Sequence, residues 1–463
     1  MSAARDLAPA AEQDGLGGFL AALGDMPVAR DPATLKRKSR DFYWYSPVLK
    51  PLLDGKVAEA VVTPRGRDDL LRLAAAAHRH RVPLTARGGG TGNYGQAVPM
   101  DGGVVVDMTA LDRLLWVRDG VARVQAGTKM GELDAALRQQ GWELRIYPST
   151  KRTATIGGYV CGGFAGVGSI SWGSLKEPGN LLALSIVTAE AAPRVLELRG
   201  ADCNLVNHTY GTTGLVDEVE IPVQPAVRWR GLAVAFADVL DAARFAHALA
   251  KLPAIEKKLC SVVEGGLTPF FKPLREAIPD GHAAALLMIA PAGLEATAAL
   301  AAEHGGRIVH EEDTAEAEAD PARTPIYEFT WNHTTLQVLK QDRSVTYIQS
   351  LFPADGTIDK LAEMRALFGD EVLLHVEFVR VEGRVTCSAL QVIRYTTEAR
   401  LNEIMALHEA HGVMISNPHA YTLEDGTRYK RLPGDQAGFK RQVDPRGLLN
   451  PGKMRSFTVE DAA

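Results

Sequence analysis

The chain has 463 residues, a formal net charge of −5 and 46% apolar residues. That length predicts two or three domains with enough apolar material to fill large cores. The mildly acidic balance gives no reason to expect nucleic acid or an anionic membrane surface as partner. No apolar run reaches the ~18–20 residues of a membrane span. The N-terminus, with Arg5, Asp6, Glu12 and Asp14, lacks the apolar core of a secretion signal. Cys161, Cys203, Cys260 and Cys387 form no CxxC pair. Neither a zinc site nor a disulfide framework is therefore expected, and a reducing cytoplasm is the simplest location.

Residues 1–35 read as a leader with one short helix, Gly15 to Leu23. Val57 to Pro64 reads as a strand stopped by proline. Asp68 to Arg79 carries a helical stripe at Leu70, Leu71, Leu73, Ala74 and Ala77. Val82 to Ala86 is a strand that runs into Arg87-Gly88-Gly89-Gly90-Thr91-Gly92-Asn93-Tyr94-Gly95. Three consecutive glycines let backbone N–H groups turn inward and approach a ligand, an arrangement that suits a diphosphate. Gly103 to Met108 and Val121 to Ala126 follow as strands, then a helix from Lys129 to Gln140. A second glycine-rich run spans Thr155 to Gly163 and continues to Gly173. Two such loops with strands between them predict a chain folded around a large phosphate-bearing cofactor. Pro222 and Pro225 mark a boundary.

Beyond it, Val227–Ala235 and His282–Ala290 read as strands, and Ala237–Lys251 and Leu294–His304 as helices, forming a separate α+β unit. The acids Glu311, Glu312, Asp313, Glu316, Glu318 and Asp320 read as a solvated loop. Strands resume over Val345–Leu351, Glu371–Val381 and Arg384–Ile393. A helix spans Glu398–His411, capped by Gly412. Its His408 and His411 read as solvent-facing.

Four blocks together carry a resemblance. They are Pro83 to Gly95 with Gly103 to Met108; Tyr147-Pro148-Ser149 with Thr155-Ile156-Gly157-Gly158; Tyr210-Gly211-Thr212-Thr213-Gly214-Leu215-Val216; and Asp444 to Met454. The set resembles the flavoprotein family of vanillyl-alcohol oxidase and p-cresol methylhydroxylase. Within it, the chain is most similar to the D-2-hydroxyacid dehydrogenase and glycolate oxidase branch. The resemblance implies an α+β fold: a two-part FAD-binding domain of the p-cresol methylhydroxylase type with an α+β cap that takes the substrate. It implies an FAD domain over 36–225, a cap over 226–420 and a C-terminal segment, 421–463, returning to the FAD domain.

Residue by residue, the resemblance implies that Arg87, Gly88, Gly89, Gly90, Thr91, Gly92 and Asn93 cradle the diphosphate of FAD. Pro148, Thr155, Gly158, Gly162 and Gly163 would line the cofactor. Val216 would stand near the adenosine and Asn450 near the flavin ring. The first loop lacks the histidine through which some relatives hold FAD covalently, so noncovalent FAD is expected. Cys161 reads as a buried packing residue.

An alcohol oxidised by FAD gives up a hydride and a proton, so the protein supplies a base. In the D-2-hydroxyacid branch a metal and a histidine share that work. Here His375 matches the first metal motif, Glu382 falls where its second histidine belongs, and Pro418 stands in place of a later carboxylate. Proline has no donor atom, so no catalytic metal is expected. His419 is the leading base candidate, then His375. Tyr327 to Thr334 forms a second cluster in which His333 and Asn332 replace a carboxylate-gripping arginine; Arg380 or Arg394 remain for that task. Tyr421 and Tyr347 are candidate hydrogen-bond donors.

The expected activity is oxidation of a hydroxylated small molecule, a 2-hydroxy acid, by hydride transfer to flavin N5. The electron acceptor is unidentified, and a homodimer is compatible with the resemblance. The alternatives are an alcohol or aryl-alcohol oxidase, a non-catalytic FAD-binding subunit, or a redox-neutral synthase related to alkylglycerone-phosphate synthase.

Overall fold

The computed structural model describes residues 14–426 and 434–457. Residues 1–13 of the expected leader, and 427–433 and 458–463 of the expected C-terminal segment, lie outside the described residues.

The first sheet has four strands in the order Val28–Ala29, Ala60–Val62, Val104–Asp107, Leu84–Arg87. Its three longer strands are parallel. Parallel strands are covered on both faces, which is why residues 104–107 are buried throughout and read as one apolar run. The helix Asp14–Ala22 packs Phe19 and the adjoining Leu23 into the same core as Leu70, Leu73 and Ala77 of the helix Arg67–His80. Residues 14–29 are thus built into this unit rather than leading up to it. The chain returns here at its end. Leu84 N–H donates to the Leu448 carbonyl at 2.8 Å and Asn450 N–H to the Leu84 carbonyl at 2.7 Å.

The second sheet runs Leu114–Arg118, Val121–Gln125, Leu215–Pro225, Ala183–Val187, Val195–Arg199, with Trp142–Leu144 also pairing Leu215–Pro225. Pro222 does not end that strand. It pairs with Val121 inside the ladder, and the strand stops at Pro225.

The third sheet has eight strands: Arg307–Asp313, Arg230–Phe236, Ala283–Ile289, Lys257–Val263, His375–Val381, Arg384–Ala389, Gln349–Leu351, Met414–Ser416. Residues alternate between its faces. Ala284, Leu286 and Met288 join the core shared with the second sheet. Ala283, Ala285, Leu287 and Ile289 meet the helices Val239–Lys251, Thr357–Phe368 and Glu398–Ala410 on the other side. Val345–Tyr347, Val392–Arg394 and Val372–Leu373 form a separate small sheet, so Val345–Leu351 is two strands in two sheets.

Two sequence expectations are corrected. The acidic run is not a solvated loop but the strand Arg307–Asp313 and the helix Thr314–Ala319. Its charges are neutralised: Glu311 pairs with Arg230 at 2.8 Å, and Glu318 with Lys151 at 2.7 Å. Asp313 pairs with Arg228 and caps the helix through the N–H groups of Ala315 and Glu316. His408 is not solvent-facing. It is fully buried, stacked on Phe368 at 4.8 Å, with Nδ1 on the Ile404 carbonyl and Nε2 on the Gln391 amide. His411 is the exposed one, beside Glu363.

A buried ionic network joins the second and third sheets. Lys258 Nζ meets Glu143 Oε1 at 2.6 Å, and Glu143 also receives Arg138, the Gln224 amide and the Trp229 indole N–H. Lys151 bridges Asp134 and Glu318, each at 2.7 Å. Burial alone would raise the Asp134 pKa, yet Lys151, Lys258 and Arg138 together hold it well below the usual carboxylate range.

Candidate active site

The strand Leu84–Arg87 ends in the first glycine loop, and the second loop enters the helix Ile156–Gly162. Thr155 caps that helix, its Oγ1 accepting from Gly158 N–H at 3.2 Å. The two loops press together. A Cβ on Gly89 would stand 2.2 Å from the Thr153 carbonyl oxygen, and one on Gly88 2.0 Å from Thr155 Oγ1. Only glycine fits such an approach. Gln96 ties the loops further, its amide donating to the Gly162 carbonyl at 3.1 Å.

Between these loops and the third sheet lies a cavity of about 500 Å³. Arg87, Gly88, Gly89, Gly90, Thr91, Gly92, Asn93, Pro148, Thr155, Gly158, Gly162, Gly163 and Val216 all line it. Among the described residues, the N–H groups of residues 88–92 make no backbone hydrogen bond. A row of unpaired amides on a cavity wall calls for an acceptor-rich ligand, and a diphosphate supplies one. Arg87 itself is spent on structure, donating to the carbonyls of Lys38 at 2.8 Å and Arg40 at 3.1 Å. Asn450 is not on the wall. Its amide donates to the carbonyls of Gln96 at 2.8 Å and Tyr210 at 2.6 Å, so it braces two residues that are.

The catalytic candidates are not brought to this cavity. His419 is buried off its wall. Nε2 faces the Tyr347 carbonyl at 2.8 Å, which accepts only, and Nδ1 faces Ser46 Oγ at 2.7 Å. Both nitrogens are committed, and burial pushes the ring down to about 4. The ring is thus packed behind the wall, away from the cavity at which a base was expected. His375 is fully buried between the Leu390 carbonyl at 3.2 Å and Glu377 Oε1 at 2.8 Å, both acceptors, leaving neither nitrogen for a substrate. His333 also lies off the wall, and burial holds it down to about 4. Tyr421 packs with Leu53 and under Lys453 Nζ, 5.1 Å from its ring, away from the cavity. Tyr347 is buried behind the wall, and Arg394 is exposed on the small sheet. His375, Glu382 and His419 do not converge. Among the described residues, no three His, Cys, Asp or Glu side chains group as metal ligands.

The side of the cavity facing the glycine loops is made by residues on and beside strands of the third sheet. Gln349, Ser350, Leu351, Val379, Arg380, Ser388, Leu390, Met414 and Ser416 line it. Trp331 and Asn332 join them, held by an unusual backbone: Trp331 has φ 54° and ψ −142°. Such a conformation costs about 1–3 kcal/mol in a non-glycine residue. It is secured by Glu377, whose Oε1 accepts from Trp331 N–H at 2.7 Å and Ser261 Oγ at 3.0 Å. Cys161 lines the cavity half-buried while packing against the main core, and burial pushes its thiol up to about 12.

The wall residues with titratable side chains that escaped the sequence reading include Asp41, Lys176 and His208, and Tyr210 of the third resemblance block also lines it. Asp41 accepts from the N–H of Tyr43 at 3.0 Å, and burial raises it to about 6. Lys176 lies 5.9 Å from the Phe164 ring. Among the described residues neither Lys176 nor Arg380 has a carboxylate partner; Arg380 donates to the Gly383 carbonyl at 3.2 Å. His208 adjoins the third resemblance block, the one cue available for it.

The cradle, the unpaired amides and the two joined loops define a dinucleotide site. Residues 58–195 match the family model described as the FAD binding domain, and FAD is the cofactor of this segment. An FAD-linked oxidoreductase of Mycobacterium tuberculosis is 30% identical over 202 residues, 42% of this chain and 42% of that protein. The glycolate oxidase subunit GlcD of Bacillus subtilis is 26% identical over 194 residues, 40% of this chain and 41% of that protein. The chain thus aligns with about two fifths of the length of each. A solved alkyldihydroxyacetonephosphate synthase shares the fold, with a TM-score of 0.70 at 14% identity over 94% of this chain and 84% of that one. The architecture is the α+β, FAD-binding p-cresol methylhydroxylase type. No helix among the described residues is long and apolar enough to cross a membrane.

Proposed function

We propose that this chain is an FAD-dependent oxidoreductase that oxidises a 2-hydroxy acid, with noncovalent FAD and no catalytic metal. The observation that carries the reading is the pair Arg380 and Lys176. Both line the cavity that the glycine cradle closes, and neither has a carboxylate partner among the described residues. Unpaired cations on a cavity wall favour an anionic ligand, and Arg380 offers the planar fork that grips a carboxylate. Residues 88–92 hold the FAD diphosphate through their amides, and the second loop carries Gly158, Gly162 and Gly163 along the cofactor. Bound FAD supplies the hydride acceptor. Gln349, Ser388 and Ser416 give the substrate's oxygens neutral partners from the opposite wall.

The alcohol or aryl-alcohol reading draws on the exposed Phe164 and Met414, apolar surfaces lining the same cavity. A panel of hydroxy acids and neutral alcohols, followed by anaerobic bleaching of the flavin band, separates the two. Hydroxy acids should bleach the wild type, and Arg380→Met should raise the acid concentration for half-maximal bleaching by about 10-fold or more, the loss of one charge-assisted pair. Bleaching by neutral alcohols alone would sink the hydroxy-acid reading. Bleaching by no donor would favour a non-catalytic FAD-binding subunit.

A further inference from the structure

The cavity carries two kinds of surface. Arg380 and Lys176 favour an anion, while Phe164 is 48% exposed and Met414 36% exposed, and all four line it. A short hydroxy acid would pair the cations and leave the apolar side chains in water. A neutral alcohol would cover the apolar side chains and leave the cations unpaired. A single exposed apolar side chain needs no explanation, but several gathered in one cavity mark a binding surface.

The ladder of the third sheet arranges this surface. Met414 pairs with Leu351, Leu351 with Ser388, and Ser388 with Glu377, on successive strands. Paired residues face the same side, and Val379 and Val381 follow Glu377 at the two-residue period of a strand, so they share that face. The alternate residues Ile415, Ala389, Cys387 and Phe378 join the core on the other side. Met414, Leu351, Val379 and Val381 all line the cavity and form an apolar shelf. From the strand of Met414 to that of Val379 the shelf crosses roughly 14 Å, at about 4.8 Å per strand. Ser388 is its polar interruption, while Glu377 is occupied by Trp331, Ser261 and His375. The cations stand at one end. Arg380 lies between Val379 and Val381 in the chain, and the segment that carries Phe164 and Lys176 is fastened beside it. Leu175 N–H donates to the Phe164 carbonyl at 2.8 Å, and Glu382 N–H donates to Glu177 Oε1 at 2.9 Å. The shelf is therefore charged at its Arg380 end and apolar toward Met414.

We propose that the substrate is a 2-hydroxy acid with an extended apolar side chain, alkyl or aryl, and this rests on the hydroxy-acid reading. Its carboxylate lies at the Arg380 and Lys176 end, where Phe164 covers the carbons next to it. Its side chain runs along Leu351 toward Met414. Such a molecule pairs the cations and takes the apolar side chains out of water at once. A tail too short to reach the shelf leaves only the contacts to the head, so tail length sets affinity.

The test uses ligands that carry no oxidisable hydroxyl, titrated into the FAD-loaded protein by calorimetry. Oxalate has the head of a 2-hydroxy acid, a carboxylate beside a second oxygen, and no tail. N-alkyl oxamates add the tail carbon by carbon. From N-ethyl to N-hexyl oxamate, affinity should rise by about threefold per methylene, close to the gain for burying each one. Met414→Ser, on the last strand of its sheet, should weaken N-hexyl oxamate by about fivefold more than it weakens oxalate. Phe164→Ser should do the same from the other side of the cavity. Affinity that ignores tail length, or an equal loss of oxalate and N-hexyl oxamate in both variants, would overturn the proposal. Turnover separates the shelf from the oxidation. If lactate and 2-hydroxyoctanoate bleach the flavin at the same half-maximal concentration, the oxidation stands and the shelf falls. If the oxamate gradient holds in a protein that no hydroxy acid reduces, the shelf stands as a ligand site and the oxidation reading falls.

Discussion

The two walls of the cavity are made of different material. The wall from residues 87–97 and 154–163 is mostly backbone, with glycines packed so closely that an added Cβ at Gly89 meets a carbonyl oxygen. The facing wall is side chains on strands of the third sheet: Gln349, Arg380, Ser388 and Met414. A backbone wall tolerates almost no substitution, so it can hold one shape of ligand. A wall of strand side chains changes residue by residue while the ladder beneath it stays intact. The cofactor is therefore fixed by geometry and the donor by exchangeable chemistry.

The contrast is open to attack from both sides. Gly89→Ala should have the largest effect. The clash is with backbone, which cannot swing aside, so FAD affinity should fall by more than 100-fold, about 3 kcal/mol, while far-ultraviolet circular dichroism stays unchanged. Retained FAD binding by titration would show that the loops part more easily than their contacts indicate. Next comes His419→Gln, behind the side-chain wall. The ring is held neutral in the fold at about 4 against an ordinary 6.5. The unfolded chain thus binds the extra proton first, and the ring's contribution is complete above about pH 6.5 and lost as pH falls toward 4. Urea unfolding of the wild type should weaken over that window by up to about 1.4 kcal/mol per pH unit for this ring. The variant should be less stable at pH 7 by about 1–3 kcal/mol and less sensitive to acid. An equally steep acid loss in the variant would move that sensitivity to His333, which is depressed for the same reason. The smallest effect is expected from Glu377→Gln, which weakens the partner of His375 and the acceptor that holds Trp331. FAD loading should be unaffected, and oxalate binding should weaken by about fivefold, the ~1 kcal/mol scale of one hydrogen bond.

The same contrast explains what could be read in advance. The glycine cradle was legible because three consecutive glycines, Gly88, Gly89 and Gly90, signal a close approach, and at Gly88 and Gly89 the second loop leaves no room for a Cβ. The paired loops and the alternating strand Ala283–Ile289 were legible for similar local reasons. His419 was not. Spacing from a known motif selects a position, but the Tyr347 carbonyl and Ser46 hydroxyl that disarm the ring come from 72 and 373 residues away. His208 was missed because nothing in its residue type shows a φ of 59° or a cavity beside it. The strand Lys257–Val263 was missed because two adjacent lysines look solvated, yet Lys258 points inward to Glu143. The acidic run misled for the same reason: its arginine partners, Arg228 and Arg230, are distant in sequence.

Lys258 has a wider consequence. Glu143 belongs to the second sheet, where Arg138 also reaches it, and Lys258 to the third; among the described residues Glu143 is the one carboxylate paired with Lys258, so the third sheet's buried cation is neutralised from the other half of the molecule. Removing one partner of a buried ion pair costs about 3–5 kcal/mol. A cap grafted from another protein would have to bring its own cation to the same point in space. New donor preferences on this scaffold should therefore arise by retouching residues around the mouth, such as Arg380 and Ser388, rather than by trading whole modules.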